Sequence, residues 1–177
     1  GELVVFHDED LSRTTNGVGL VADVSFDELR RLDAGSWFDK EFKGEKVPTL
    51  EEVLNLVDGK CILNIEVKNA PVSYEGIEDD LLALIESYPH PETLILSSFD
   101  HYVLRNLAQK APQYQLAVLA DAVLIDLPAY AATFGARYFH PCFDSCRPDV
   151  VEQCHQAGIG VNPWTVNGRK AWSRALK

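Results

Sequence analysis

The chain has 177 residues, of which 46% are hydrophobic and 24% are charged, a composition typical of one folded domain rather than of a disordered chain. Its 27 acidic residues outnumber its 16 basic residues and give a formal net charge of −11, which argues against a nucleic-acid-binding or anionic-membrane-binding surface. No apolar run approaches the roughly 18 residues of a membrane-spanning helix, so we expect no stable membrane insertion.

Six short runs rich in β-forming residues predict strands, and most of them lack polar alternation, as is typical of strands buried on both faces. The predicted strands are 3–7, 62–68, 94–97, 116–119, 138–140 and 160–166. Helices are predicted between them. Ser25 with Glu28, and Thr49 with Glu52, have the spacing of capping boxes. Further helices are predicted at 77–88, 102–110, 149–157 and 169–177.

Strands and helices that alternate at intervals of roughly 25–30 residues predict repeated βαβ units and a parallel sheet. Organisation alone leaves two architectures open. An open doubly wound sheet fits this length, whereas a closed (β/α)8 barrel typically needs about 250 residues. The segment 9–48 is too long for a simple connection, and we interpret it as an insertion with a small helix of its own.

His7 and Asp8 stand at the carboxyl end of the first predicted strand. Active sites of parallel α/β folds assemble at this edge, and a histidine suits proton transfer near neutral pH. The alternative is a solvated histidine at the end of a strand.

Asn64, Glu66 and Lys68 alternate with apolar residues inside the second predicted strand, so the three polar side chains should share one face. A carboxylate and an ammonium within a strand are costly unless they are paired or bind a ligand. Glu66 as an oxygen ligand for Mg²⁺ or Ca²⁺, with Lys68 on an anionic oxygen, would explain both. A structural Glu–Lys pair on a half-exposed edge strand is the alternative.

Phe99 and Trp164 lie close to the ends of two later strands, where an aromatic side chain can form the wall of a pocket or simply pack in the core. His140 is a weaker candidate. The sequence contains no P-loop, no G-x-S-x-G motif and no G-x-G-x-x-G motif. Of the four cysteines, we expect Cys61 to lie in the core and all to be reduced, which favours the cytoplasm, although periplasmic or secreted locations stay open.

Taken in order along the chain, these segments resemble the glycerophosphodiester phosphodiesterase family. The resemblance begins with GELVVFHDEDLSRTTNGVGLVADVSFDELRRLDAGSWF and continues through FKGEKVPTLEEVL, NIEVKN, LSSFD and VNPWTVN. It implies a (β/α)8 TIM barrel of the phospholipase C-like phosphodiesterase type, incomplete in this chain, with a small insertion after the His-Asp strand. Residues 1–177 would then form part of the catalytic domain.

The family resemblance also implies an enzyme, a phosphoric diester hydrolase of lipid and glycerol metabolism that cleaves glycerophosphodiesters to sn-glycerol 3-phosphate and an alcohol with a divalent metal, Mg²⁺ or Ca²⁺. By this resemblance His7 is catalytic, Glu66 is a metal ligand and Lys68 contacts the substrate phosphate. Phe99 and Trp164 would line the glycerol side of the pocket. The expected partner is a small-molecule glycerophosphodiester.

The family's pattern also has a His-Arg strand and a Glu-x-Asp strand before the position of Gly1, and a final strand after Lys177. The resemblance thus implies that the chain is the middle of the catalytic domain and that His7 works with an upstream histidine. Activity of the 177-residue chain by itself is left open. Two alternatives stand beside this interpretation: a lysophospholipase D-like phosphodiesterase, and a non-catalytic truncated fragment that acts as a scaffold.

Overall fold

The computed structural model describes residues 1–175, which form two compact units. The first unit comprises Gly1–Cys61 and Pro71–Pro89. The second unit comprises Ile62–Ala70 and the chain from His90 onward.

The first unit is helical, with no strand longer than an isolated bridge among its described residues. Its helices are α1 (Phe26–Leu29), α2 (Leu50–Val57) and α3 (Ile77–Glu86). The two predicted capping boxes are confirmed: the side chains of Ser25 and Thr49 each accept from the backbone N–H three residues on, and the glutamates there bond back.

A small apolar cluster stabilises the part of the first unit that precedes α2. Leu11, Leu29 and Val47 are buried at its centre, and partly buried apolar side chains pack around them. Gly35 is required nearby because a Cβ atom at this position would lie 1.9 Å from the backbone oxygen of Phe42.

The second unit is built on a parallel sheet with five strands in the described part of the chain. The strands are β1 (Leu63–Glu66), β2 (Leu94–Ser98), β3 (Gln115–Ala120), β4 (Tyr138–Pro141) and β5 (Gly160–Val161). Their spatial order follows their order in the chain, and each neighbouring pair is parallel. The prediction of a parallel α/β fold is confirmed.

Helices follow the strands of the second unit as βαβ connections require. They are α4 (His101–Lys110), α5 (Leu127–Ala132), α6 (Pro148–Gln156) and α7 (Gly168–Ala175). The N-cap of α4 is Asp100, whose side chain accepts from the backbone N–H of Tyr102, as the sequence predicted. The buried face of α4 packs against β2 and β3. Because every residue of β2 is buried, its apolar run without polar alternation is explained by burial on both faces.

Two strand predictions are wrong in extent. The segment 3–7 forms only one antiparallel bridge, between Val4 and Thr49, because Val4 and Phe6 pack on the local apolar cluster instead of joining a parallel sheet. The predicted strand 160–166 is a strand only at Gly160–Val161, and it continues as a single bridge at Trp164.

One smaller expectation is wrong, one helix was missed, and one predicted helix is confirmed as far as the described residues extend. Cys61 is exposed rather than buried, because it follows a turn with two left-handed residues, Asp58 and Gly59, before β1 begins. The helix Leu127–Ala132 was not predicted. Of the helix predicted at 169–177, the last two residues lie outside the described part of the chain.

Candidate active site

A pocket of about 380 Å³ lies on one face of the sheet in the second unit. The strand register pairs Glu66 with Ser97, Ser97 with Ala117, and Ala117 with Tyr138. The side chains of these residues, and of residues two positions away along each strand, therefore lie on that face. The lining residues are Ile62, Asn64, Glu66, Ile95, Leu119, His140, Asn162 and Trp164. Most of the polar ones stand towards the carboxyl ends of the strands, where α/β folds assemble their sites.

Asn64 and Glu66 face the pocket together, as their spacing predicted. Lys68 lies just beyond the end of β1, and its Nζ donates to Glu66 Oε1 over 2.7 Å. The side chains of Glu66 and Lys68 are 27% and 33% exposed, so the pair is partly open to solvent. The carboxylate is therefore both half of an ion pair and part of the pocket wall.

The pocket offers side-chain oxygen atoms, which are the ligands that a hard cation such as Mg²⁺ or Ca²⁺ prefers. Glu66 Oε2 makes no hydrogen bond within residues 1–175, and Asn64 contributes a second side chain able to offer oxygen. Mg²⁺ is commonly held by one or two carboxylates together with substrate phosphate and water. The described residues include no group of three or more His, Cys, Asp or Glu side chains placed to hold a metal, so Glu66 would supply one ligand of a larger set.

The structure brings the two predicted aromatic residues together. The rings of Phe99 and Trp164 meet edge to face, with centroids 5.6 Å apart and planes at 84°. Trp164 Nε1 donates to the backbone oxygen of His140 over 2.8 Å, which fixes the indole at the pocket wall. Phe99, 45% exposed, contacts the indole from outside the lining.

His140, which the sequence offered only as a weaker candidate, and Asn162, which it did not single out, both line the pocket. His140 is only 5% exposed, and its Nε2 lies 3.1 Å from Asn162 Nδ2. Burial lowers the pKa of His140, and the negative charge of Glu66 opposes this only in part, so the imidazole is neutral near pH 7. Its Nδ1 has no hydrogen bond within the described residues and stays available to a ligand. Its position near the end of β4 was the signal that made His140 a candidate.

The two serines at the end of β2 have different environments. Ser98 Oγ donates to the backbone oxygen of Val67 over 2.6 Å and accepts from the N–H of Asp100, which ties the strand end to both flanking loops. Ser97 lies beside Glu66 in the register, and its Oγ is buried without a hydrogen-bond partner among residues 1–175. A buried hydroxyl without a partner is costly, so the Ser97 hydroxyl calls for a water or ligand atom on this face of the sheet.

His7 belongs to the first unit, and its side chain is 75% exposed. Its Nδ1 lies 2.6 Å from Asp8 Oδ1. Arg13 binds both oxygens of the same carboxylate, through Nε and through Nη2. Hydrogen bonds from Arg13, and to a smaller extent from His7, hold the pKa of Asp8 well below its usual range, so Asp8 is ionised. Because an ionised carboxylate can only accept hydrogen bonds, His7 carries a proton on Nδ1.

A parallel α/β sheet with a carboxylate and an aromatic side chain in one pocket towards the carboxyl ends of its strands is the arrangement of α/β enzymes, whose sites open at this edge. The match to known proteins is more specific. The model of the glycerophosphoryl diester phosphodiesterase family matches residues 1–177, and the chain belongs to this family. The predicted phosphoric diester hydrolase class and the predicted fold type are thus confirmed.

Relatives and solved structures agree with this assignment. A glycerophosphodiester phosphodiesterase of Caldanaerobacter subterraneus is 40% identical over 178 residues, covering all of this chain and 73% of the relative. A glycerophosphodiester phosphodiesterase of Bacillus altitudinis is 37% identical over 174 residues, covering 96% of this chain and 71% of the relative.

Among solved structures, an Oleispira antarctica phosphodiesterase in complex with the product sn-glycerol-3-phosphate superposes with a TM-score of 0.87 at 27% identity, covering 98% of this chain and 71% of that one. A glycerophosphodiester phosphodiesterase from Agrobacterium tumefaciens gives a TM-score of 0.81 at 29% identity, with 99% and 74% coverage. None of the helices in residues 1–175 combines the length and apolar character needed to cross a membrane.

Proposed function

We propose that the protein hydrolyses glycerophosphodiesters to sn-glycerol 3-phosphate and an alcohol, with the help of a divalent cation, Mg²⁺ or Ca²⁺. The observation that carries this proposal is the Glu66–Lys68 pair beside a pocket at the carboxyl ends of parallel strands. A relative whose structure contains sn-glycerol-3-phosphate supports the choice of product.

Glu66 and Lys68 would handle the charge of the substrate. Glu66 would hold the cation, which supplies charge neutralisation at the non-bridging phosphate oxygens. Lys68 is a mobile point charge that already reaches the carboxylate, and we expect it to contact an anionic phosphate oxygen. The Ser97 hydroxyl and Asn64 lie on the same face and can orient polar atoms there.

His7 would move the proton that phosphodiester cleavage requires. A choline or ethanolamine alkoxide leaves poorly unless it is protonated in the transition state. With Nδ1 held by Asp8, the proton-transferring atom of His7 would be Nε2. The attacking group can be a glycerol hydroxyl, which would give a cyclic phosphate that water then opens.

The glycerol moiety would lie against the uncharged part of the pocket. Trp164 gives an apolar wall, supported by Phe99, and His140 with Asn162 gives neutral hydrogen-bonding groups. A neutral imidazole and an amide suit hydroxyl groups rather than the phosphate. With this division, the charged part of the substrate would lie near Lys68 and the polyol near His140.

The test is a substrate and metal panel on the full-length protein. Glycerophosphocholine, glycerophosphoethanolamine and lysophosphatidylcholine are compared in an assay that detects glycerol 3-phosphate and free choline. We expect glycerophosphodiesters to be cleaved, activity to vanish with EDTA, and Mg²⁺ or Ca²⁺ to restore it. Preference for lysophosphatidylcholine would instead assign the lysophospholipase D-like activity, and turnover unaffected by EDTA would refute the metal proposal.

A further inference from the structure

Asp8 is held from two sides in the first unit. Its Oδ1 lies 2.6 Å from His7 Nδ1 and accepts from Arg13 Nη2 over 2.8 Å, and its Oδ2 accepts from Arg13 Nε. The guanidinium of Arg13 lies over the ring of Trp37, 5.9 Å from its centroid. Four side chains thus form one chain of contacts from Trp37 to His7.

The two bonds from Arg13 fix the plane of the carboxylate, because a guanidinium fork matches both oxygens at once. A single bond would leave the carboxylate free to rotate about χ2, which is a soft torsion for aspartate. Contact with Trp37 in turn limits the rotamers of Arg13, whose side chain is 55% exposed. The need for such support is clear at His7, whose side chain is 75% exposed and has little packing of its own.

Stability is a poor explanation for this arrangement, because exposed ion pairs contribute little to folding. Direct binding of the substrate phosphate by Arg13 is also a poor explanation. The edge of the guanidinium formed by Nε and Nη2 faces Asp8, which neutralises its charge, and one face of the group lies on Trp37.

We propose that Arg13 is a positioning residue for His7: it clamps both oxygens of Asp8, which holds the imidazole with Nδ1 protonated and leaves Nε2 to transfer the proton. This inference rests on the proposed role of His7 in phosphodiester hydrolysis. Arg13 touches neither the substrate nor the reacting atoms, and its effect on the reaction passes through Asp8.

The test is a double-mutant cycle in the full-length protein with glycerophosphocholine as substrate. We expect Arg13→Gln to lower kcat about 10-fold and to change KM less than about 2-fold. A 10-fold loss is at the lower end of what is found when a residue that orients a functional side chain is removed. In the His7→Ala variant, Arg13→Gln should not lower kcat any further. Arg13→Lys should recover only part of kcat, since an ammonium cannot grip both oxygens.

A matched control and a direct readout accompany the cycle. Arg147 makes the same two-bond pair with Asp149, through Nε and Nη2 at 2.9 and 2.8 Å. No histidine among residues 1–175 bonds to that pair, so Arg147→Gln should leave kcat unchanged. ¹⁵N NMR of the imidazole nitrogens, with His7 assigned by its loss in His7→Ala, should show the Nδ1-protonated tautomer in the wild type and a tautomer mixture in both Arg13 variants.

Each remaining outcome has a definite meaning. Equal losses from Arg13→Gln with and without His7, or a raised KM, would overturn the positioning role and assign Arg13 to phosphate binding. An unchanged kcat and tautomer in Arg13→Lys and Arg13→Gln would also overturn it. Normal turnover by His7→Ala alone would refute the catalytic role of His7 in the proposed function, and the dependent role of Arg13 with it.

Discussion

Replacing Glu66 by Gln separates the structural part of the Glu66–Lys68 pair from its functional part. The change keeps the size of the side chain and removes its charge. The pair is 2.7 Å long, but its side chains are 27% and 33% exposed, so solvent screens part of the attraction. We expect the free energy of unfolding to fall by about 1 kcal/mol, or about 2–4 °C in Tm for a chain of this size.

Turnover should fall far more than stability. An amide oxygen is a much weaker ligand for a divalent cation than a carboxylate. The substitution also removes the ion pair that holds the Lys68 side chain in place. We expect kcat/KM for glycerophosphocholine to fall at least about 100-fold, which corresponds to about 2.7 kcal/mol of transition-state stabilisation. An effect on catalysis that exceeds the effect on folding in this way would identify Glu66 as a functional group.

The measurements are thermal unfolding and a coupled glycerol 3-phosphate assay, each over a titration of Mg²⁺ and of Ca²⁺. Asp149→Asn is the control, because it removes an exposed carboxylate from a two-bond ion pair with Arg147 that is not part of the pocket. Its turnover should equal that of the wild type. Near-normal turnover of Glu66→Gln at saturating metal would refute the ligand assignment, and a large fall in Tm with proportional loss of activity would make the pair structural.

Three further predictions concern other parts of the molecule. His7→Ala should impair hydrolysis of glycerophosphocholine far more than that of bis(4-nitrophenyl) phosphate, whose phenolate leaves without a proton; equal losses would assign His7 to nucleophile activation. His140→Phe should raise KM for glycerophosphocholine about 10-fold and leave the aryl diester, which has no glycerol, unchanged. Equal changes on both substrates would contradict a role in glycerol recognition. Because hydrogen bonds from Ser36 and from the backbone of Gly35 lower the pKa of Asp33 from its ordinary 3.8 on folding, the stabilisation from this carboxylate is complete above that pH and is lost as the pH falls below it. The urea midpoint should therefore fall steeply below about pH 4, and less steeply in Asp33→Asn; identical pH profiles would show that Asp33 does not contribute.

Local signals in the sequence were sufficient where one segment decides its own structure. The side chains of Ser25 and Thr49 cap their helices through residues only three positions away, so the capping motifs could be recognised directly. The alternation that placed Asn64 and Glu66 on one face follows from the period of a strand and needs no knowledge of its neighbours.

Features that depend on distant partners could not be obtained in this way. The backbone of the segment 3–7 bonds to residues near Thr49, and nothing in the apolar run itself specifies that partner. His140 could be named only as a weaker candidate, because its place in the pocket depends on the register that pairs it with Leu119. The helix Leu127–Ala132 was missed although Asp126 caps it, because six residues are too few to show a helical period of apolar residues.

The strands of the sheet differ in burial, and this difference should affect local opening and amide hydrogen exchange. All of β2 and most of β3 are buried, whereas β5 has two half-buried residues and β1 is only partly covered. Backbone amides of β2 and β3 should therefore exchange only in the rarest openings of the second unit, and those near Asn162 and Trp164 in much more frequent openings. The segment that carries Trp164 should then open locally, with loss of its bond to His140, more often than the strands that carry Ser97 and Leu119. Local opening of this segment within the second unit would let a polyol enter the pocket beside the buried strands β2 and β3.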